Sequence, residues 1–110
     1  MTPSPLRLFD WSSVEYMVNE GVRMMYDPWL EKIVGEWDSE HHKVRISRNL
    51  PPEEEDITIV HEWLHAFEDL VLNIDDFFRD SQIEWWARFH YRTNPELVQY
   101  IRSFYQRNGF

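Results

Sequence analysis

Residues 51–72, "PPEEEDITIVHEWLHAFEDLVL", spell out a helix with chemistry in its middle. Pro51 and Pro52 suit a first turn, where a missing amide hydrogen costs nothing. Glu53, Glu54, Glu55 and Asp56 complement the positive end of the helix dipole. Ile57, Val60, Leu64, Phe67 and Val71 recur at helical spacing and predict one buried stripe. His61 and His65 stand four residues apart, so a helix puts them on one face with about 5–6 Å between their β-carbons. They can then offer imidazole nitrogens to one metal ion. Glu62 lies ~100° further round, beside this pincer rather than in it, where it can take a proton from a metal-activated water. That is the physical content of the HExxH pattern. The competing reading, two solvated histidines on a core helix, is weakened by the setting. An alternating strand precedes the motif, and an acid-bearing helix follows it.

A hydrolytic zinc keeps three protein ligands and one open position. Glu68 shares the histidine stripe, but seven residues of helix span ~10.5 Å, too far for one coordination sphere. The third ligand is expected from another element. Glu84, in "IEWWARFHY", follows His65 by nineteen residues on a predicted helix and is the leading candidate. Asp75, Asp76, Asp80 and His90 are the alternatives, with Asp75 and Asp76 better suited to capping the next helix.

Working outward, Leu6, Leu8 and Phe9 suggest a short first strand. Ser12 or Ser13 is then expected to cap a helix carrying Val14, Met17, Val18, Val22 and Met25, ended by Asp27-Pro28. "EKIVGEW" and "HKVRISR" read as strands joined by the turn "DSEH". The second of these is also an edge to which an extended peptide could add. A helix from about Asp76 to Arg92 follows. Asn94 and Pro95 open a last helix to about Arg107. The order β-α-β-β-α-α-α gives an α+β fold: a small three-stranded sheet packed on an N-terminal helix, the histidine helix, the Glu84 helix and a C-terminal helix.

With 110 residues the chain predicts a single domain, 1–110. Six Trp, five Tyr and seven Phe supply bulky core groups for a chain of this size. There is no cysteine, so a metal must use His, Asp or Glu. A net charge of −9 disfavours nucleic acid and anionic lipid as partners. No apolar run reaches the ~18 residues of a membrane span, so direct membrane insertion is not expected. Nothing in "MTPSPLRLFDW" resembles a signal peptide. A soluble, cytoplasmic protein is expected.

"HEWLH" followed by "EWWA" resembles the gluzincin metallopeptidases, with HExxH on an active-site helix and ExxA on a following glutamate helix. In size the chain is most similar to the minigluzincins, minimal proteins that resemble the catalytic cores of membrane-embedded gluzincins. The resemblance covers most of the chain and implies one zinc ion per chain held by His61, His65 and Glu84, with Glu62 as general base and acid. Many gluzincins carry an acidic residue four positions after the ligand glutamate. Here that position is Arg88, which leaves Asp69 as a substitute partner for a histidine and Arg88 free to pair with Glu84 or face substrate. His90, Tyr91 and Arg88 are candidates for stabilising the oxyanion. The resemblance also admits a latent form, in which the segment "SFYQRNGF" fills a cleft in its own molecule or in a neighbour's. The latter gives a homodimer with mutually blocked clefts.

The leading expectation is therefore a minimal zinc metallopeptidase acting on a peptide or protein substrate. The alternative is a metal-binding regulatory or interaction protein of the same fold without general peptidase activity. A metal-free acidic interaction domain is the third.

Overall fold

The computed structural model describes residues 10–30, 33–73 and 78–107, with side chains up to residue 105. In chain order it contains α1 (Trp11–Asn19), β1 (Arg23–Asp27), β2 (Gly35–Asp38), β3 (Lys43–Ser47), α2 (Pro52–Leu70), α3 (Asp80–Thr93) and α4 (Pro95–Arg107). The fold is α+β, as the sequence predicts. None of its helices is long and apolar enough to cross a membrane, among the described residues. The expected first strand at Leu6–Phe9 lies outside the described residues, as do Asp75, Asp76 and the end of the tail segment.

The first helix is shorter than its apolar spacing suggests. Asp10, not Ser12 or Ser13, is its cap, accepting a hydrogen bond from the Ser13 amide. It stops at Asn19 because Gly21 takes a left-handed conformation (φ 84°). Gly21 N–H then bonds to the Val18 carbonyl and Val22 N–H to that of Met17. This pair of bonds is the Schellman ending that glycine makes cheap. Val22 and Met25 therefore do not extend the helix. Met25 belongs to β1, where residues alternate between faces and Met24 is the buried one.

β1 pairs parallel with β3, and β2 pairs antiparallel with it, giving the order β1-β3-β2. The predicted hairpin between β2 and β3 is present. However, "KVRIS" is the central strand rather than an edge, so its backbone groups are already committed on both sides. Among the described strands, β1 and β2 are the two edges, and β2 is the one that lines the cleft at the histidine helix. Met24, Val44 and Ile46 turn inward from the sheet and meet α2 and its neighbours in one core.

α2 is buried far beyond the single stripe that the spacing suggests. Ile57, Thr58, Ile59, Val60, Glu62, Trp63, Leu64, Ala66 and Phe67 are all buried, whereas Val71, expected inside, is exposed. The helix is covered by the sheet, by α3 through Ile83 and Ala87, and by α4 through Leu97, Val98, Ile101 and Tyr105. Each of the larger aliphatic side chains contributes about 1.5–3 kcal/mol on burial. Trp63 is fully buried and meets the Tyr105 ring edge-on, with centroids 5.3 Å apart. Between Glu55 and Glu68 the helix shows only two half-buried positions, His61 and His65. The central helix opens to the surface at its histidines.

α2 begins with a polar lock. Glu55 and Asp56 are buried, and Arg102 of α4 bonds to both, at 2.8 Å and 2.5 Å respectively. The Tyr26 hydroxyl of β1 also donates to Glu55. The acidic run thus does more than complement the helix dipole: half of it ties sheet, α2 and α4 together.

Candidate metal centre

His61 and His65 project from the open stripe of α2 toward the first turn of α3. Their Nε2 atoms lie 3.2 Å apart. Asp80, the first residue of α3, places Oδ1 3.0 Å from Nε2 of His61 and 3.2 Å from Nε2 of His65. These three side chains form the group able to hold a metal ion among the described residues. In a tetrahedral site with bonds of about 2.0–2.1 Å, donor atoms are about 3.3–3.4 Å apart. The observed triangle matches one face of that tetrahedron to within a few tenths of an ångström. Three lone-pair donors this close repel one another unless protons or a cation lie between them. Burial pushes the Asp80 carboxyl up, but electrostatic attraction and hydrogen bonds from His61 and His65 outweigh that and hold it below its usual range.

Glu84 takes a different place from the one expected of a third ligand. Its Oε2 lies 2.5 Å from Nδ1 of His61, on the side of the ring away from the triangle. A carboxylate there can accept the Nδ1 proton, and in that neutral tautomer Nε2 has a lone pair to offer a metal. Glu84 is itself held by Arg88, whose Nε donates to Oε1 at 2.9 Å, while an Arg88 Nη reaches Glu54 at 3.4 Å. Arg88 therefore acts in a chain Glu54–Arg88–Glu84–His61, and its pairing with Glu84 is one of the alternatives the sequence leaves open.

Glu62 sits beside the triangle, its Oε1 3.9 Å from Nε2 of His61. It is 7% exposed, and burial pushes its carboxyl up to about 7, with Asp80, Glu36 and Glu84 adding to the rise and His61 opposing it. β2 makes this close fit by having no side chain at the contact. A β-carbon on Gly35 would stand 2.6 Å from Thr58 Cγ2 and 2.9 Å from Glu62 Cγ. His61, Glu62 and Asp80 open into a cleft of about 480 Å³, walled also by Val34 and Gly35 of the β2 side and by Glu84 and Arg88 of α3; His65 does not line it. Ile33 and Val34 add exposed apolar surface to its rim.

The other sequence candidates lie elsewhere. Asp69 accepts from the Trp37 indole N–H at 3.2 Å and so anchors β2 to α2. His90 is buried, and burial lowers its pKa; it faces the core and not the cleft. Tyr91 lines a separate, smaller cleft. Glu68 is buried and accepts the Phe78 amide at 2.7 Å, fastening the approach to α3 onto α2. His41 bonds to Asp38 at 2.9 Å in the hairpin turn, as a solvated histidine would, whereas His42 stacks on Trp37 and contacts the Glu20 carbonyl. Gly35 and Glu54 are the site residues that sequence reasoning misses. A glycine inside "IVGEW" is a signal for close backbone approach; Glu54 carries no comparable signal.

Compared with known family models, with curated proteins and with solved structures, the chain matches none.

Proposed function

We propose that this protein is a minimal zinc-dependent metallopeptidase of gluzincin type. The observation that carries the reading is the 3.0–3.2 Å triangle of His61, His65 and Asp80 with the buried Glu62 beside it in an open cleft. His61, His65 and a carboxylate of α3 would hold the metal. Asp80 stands closest to that role, and Glu84 supports His61 from behind. When bound, the cation supplies Lewis acidity, which lowers the pKa of water and polarises a carbonyl. The protein's own part is proton transfer and positioning. Glu62, with a carboxyl near 7, takes the proton of the attacking water and returns it to the leaving amine nitrogen, a task that favours a group titrating close to working pH. The Glu84–Arg88 pair fixes the orientation of the His61 ring. The free edge of β2 borders the cleft, and an extended peptide can add to it as a further strand. The rim formed by Ile33 and Val34 gives apolar side chains a surface.

Glu62→Gln removes the base while keeping size and hydrogen bonding. The variant should bind zinc as wild type does and cleave no member of a broad peptide library. Wild type cleaving no faster than the variant would refute the peptidase reading.

One observation favours the alternative of a metal-binding interaction protein. Arg88 is the single cationic donor lining the cleft among the described residues, and Glu84 and Glu54 already occupy it. Stabilisation of an oxyanion by the protein itself is worth about 3–4 kcal/mol in other hydrolases. Its lack would leave a site that binds metal and peptide but turns over slowly.

A further inference from the structure

α3 carries four charged residues at intervals of four: Asp80, Glu84, Arg88 and Arg92. This spacing keeps them along one side of the helix, with carboxylates at the metal end and guanidiniums at the other. Arg88 lines the metal cleft and also a second cleft of about 170 Å³, which Arg92, Tyr91, Ile57 and Glu53 complete. Arg88 thus stands between the two clefts and lines both. Their charges differ. Glu54, Glu62, Asp80 and Glu84 surround the first. The second presents two guanidiniums against the lone carboxylate of Glu53. Arg88 is neutralised by Glu84 and Glu54, whereas Arg92 is exposed and has no ion-pair partner among the described residues.

Resting on the metallopeptidase reading above, we propose that the second cleft is a subsite for a carboxylate of the peptide substrate. A helix rises 1.5 Å per residue, so Arg92 lies about 12 Å along α3 from Glu84 and about 18 Å from Asp80. An extended peptide advances about 3.3–3.6 Å per residue. An acidic side chain roughly three to five residues from the scissile bond therefore reaches Arg92. The guanidinium forks onto a carboxylate through two parallel hydrogen bonds, and Tyr91 and Ile57 give its methylene groups an apolar floor. Among the described residues, the metal cleft offers no unpaired guanidinium to an acidic residue nearer the bond, so the preference falls at a distance from it. The substrate class is a peptide that is neutral at the centre and acidic on a flank.

The test uses the full chain carrying Glu62→Gln, titrated with zinc and then with three matched decapeptides. Their central residues are identical, and their flanking residues are Glu, Gln or Lys. The Glu-flanked peptide should bind about fivefold more tightly than the Gln-flanked one at low salt, and the Lys-flanked peptide most weakly. Adding Arg92→Glu should reverse that order, and Arg92→Gln should level it. Equal binding of all three peptides, binding of none, or an order unchanged by both Arg92 substitutions would overturn the subsite. The zinc titration separates the two readings. Zinc bound at one equivalent leaves the metal centre standing when the subsite falls, whereas no zinc bound removes both.

Discussion

Two carboxylate clusters stand on α2 about two turns apart, and they are built on opposite plans. At Glu55 and Asp56 each buried acid meets the guanidinium of Arg102. At Glu62 the neighbouring basic group is the His61 ring, 3.9 Å away and too far for a hydrogen bond. The first cluster closes three elements onto one another. The second faces a cleft of about 480 Å³ and gathers donors that lack a fixed counter-charge among them. Burial without compensation destabilises a fold, so a protein keeps it where chemistry gains from it. The contrast separates a structural ion network from a candidate metal centre within one helix.

The closed cluster should yield the larger loss when broken. Arg102→Met leaves Glu55 and Asp56 buried without a counter-charge, and chemical denaturation should show a loss of about 3–5 kcal/mol. Zinc affinity of the folded fraction should not move. Glu62 should show the opposite kind of behaviour, because there the native charge is the cost. Its folded pKa of about 7 lies above its ordinary 4.5. The stability it lends as a neutral group is complete below pH 4.5 and is lost as pH rises through 7, a change of about 3 kcal/mol. In metal-free protein, the difference in unfolding free energy between wild type and Glu62→Gln should follow that curve. A difference flat between pH 4.5 and 8 would mean that Glu62 is not held in this environment.

Smaller effects probe how each cluster is supported. Glu84→Gln replaces the acceptor on His61 Nδ1 and should weaken zinc binding about 10–100-fold, as substitutions behind a metal ligand do. Arg88→Gln should give part of the same loss by releasing Glu84. Trp37→Phe removes the indole bond to Asp69, which lies one turn of α2 beyond His65 and bonds to neither cluster. It should cost about 0.5–1.5 kcal/mol of stability and nothing in metal affinity.

Much of this was legible in the sequence, and for local reasons. Pro51-Pro52 with the acids that follow marks the start of α2, Asn94-Pro95 marks the start of α4, and the alternation in "HKVRIS" marks a strand. The pairing of His61 with His65 follows from helical spacing alone. What the sequence hides depends on long-range contacts. Val22 and Met25 continue an apolar helical pattern, and only the left-handed turn at Gly21 sends them elsewhere; the glycine is visible, but its precedence over the periodicity is not. Burial of Glu55, Asp56 and Glu68 depends on Arg102 and the Phe78 amide, 47, 46 and 10 residues away. Asp80 and Glu84 share one side of α3, so spacing names both as ligand candidates. Which of them reaches Nε2 rather than Nδ1 of His61 depends on how α3 slides along α2, and that no local pattern encodes.

The most direct measurement is a zinc titration of metal-free protein against a competing chelator, followed by X-ray absorption at the zinc edge. Wild type should take up one equivalent with two imidazoles and carboxylate oxygen in the coordination sphere, and His65→Ala should lose more than 100-fold in affinity while unfolding as wild type does. Equal zinc uptake by the two proteins, or a sphere without imidazole, would contradict a metal centre on α2.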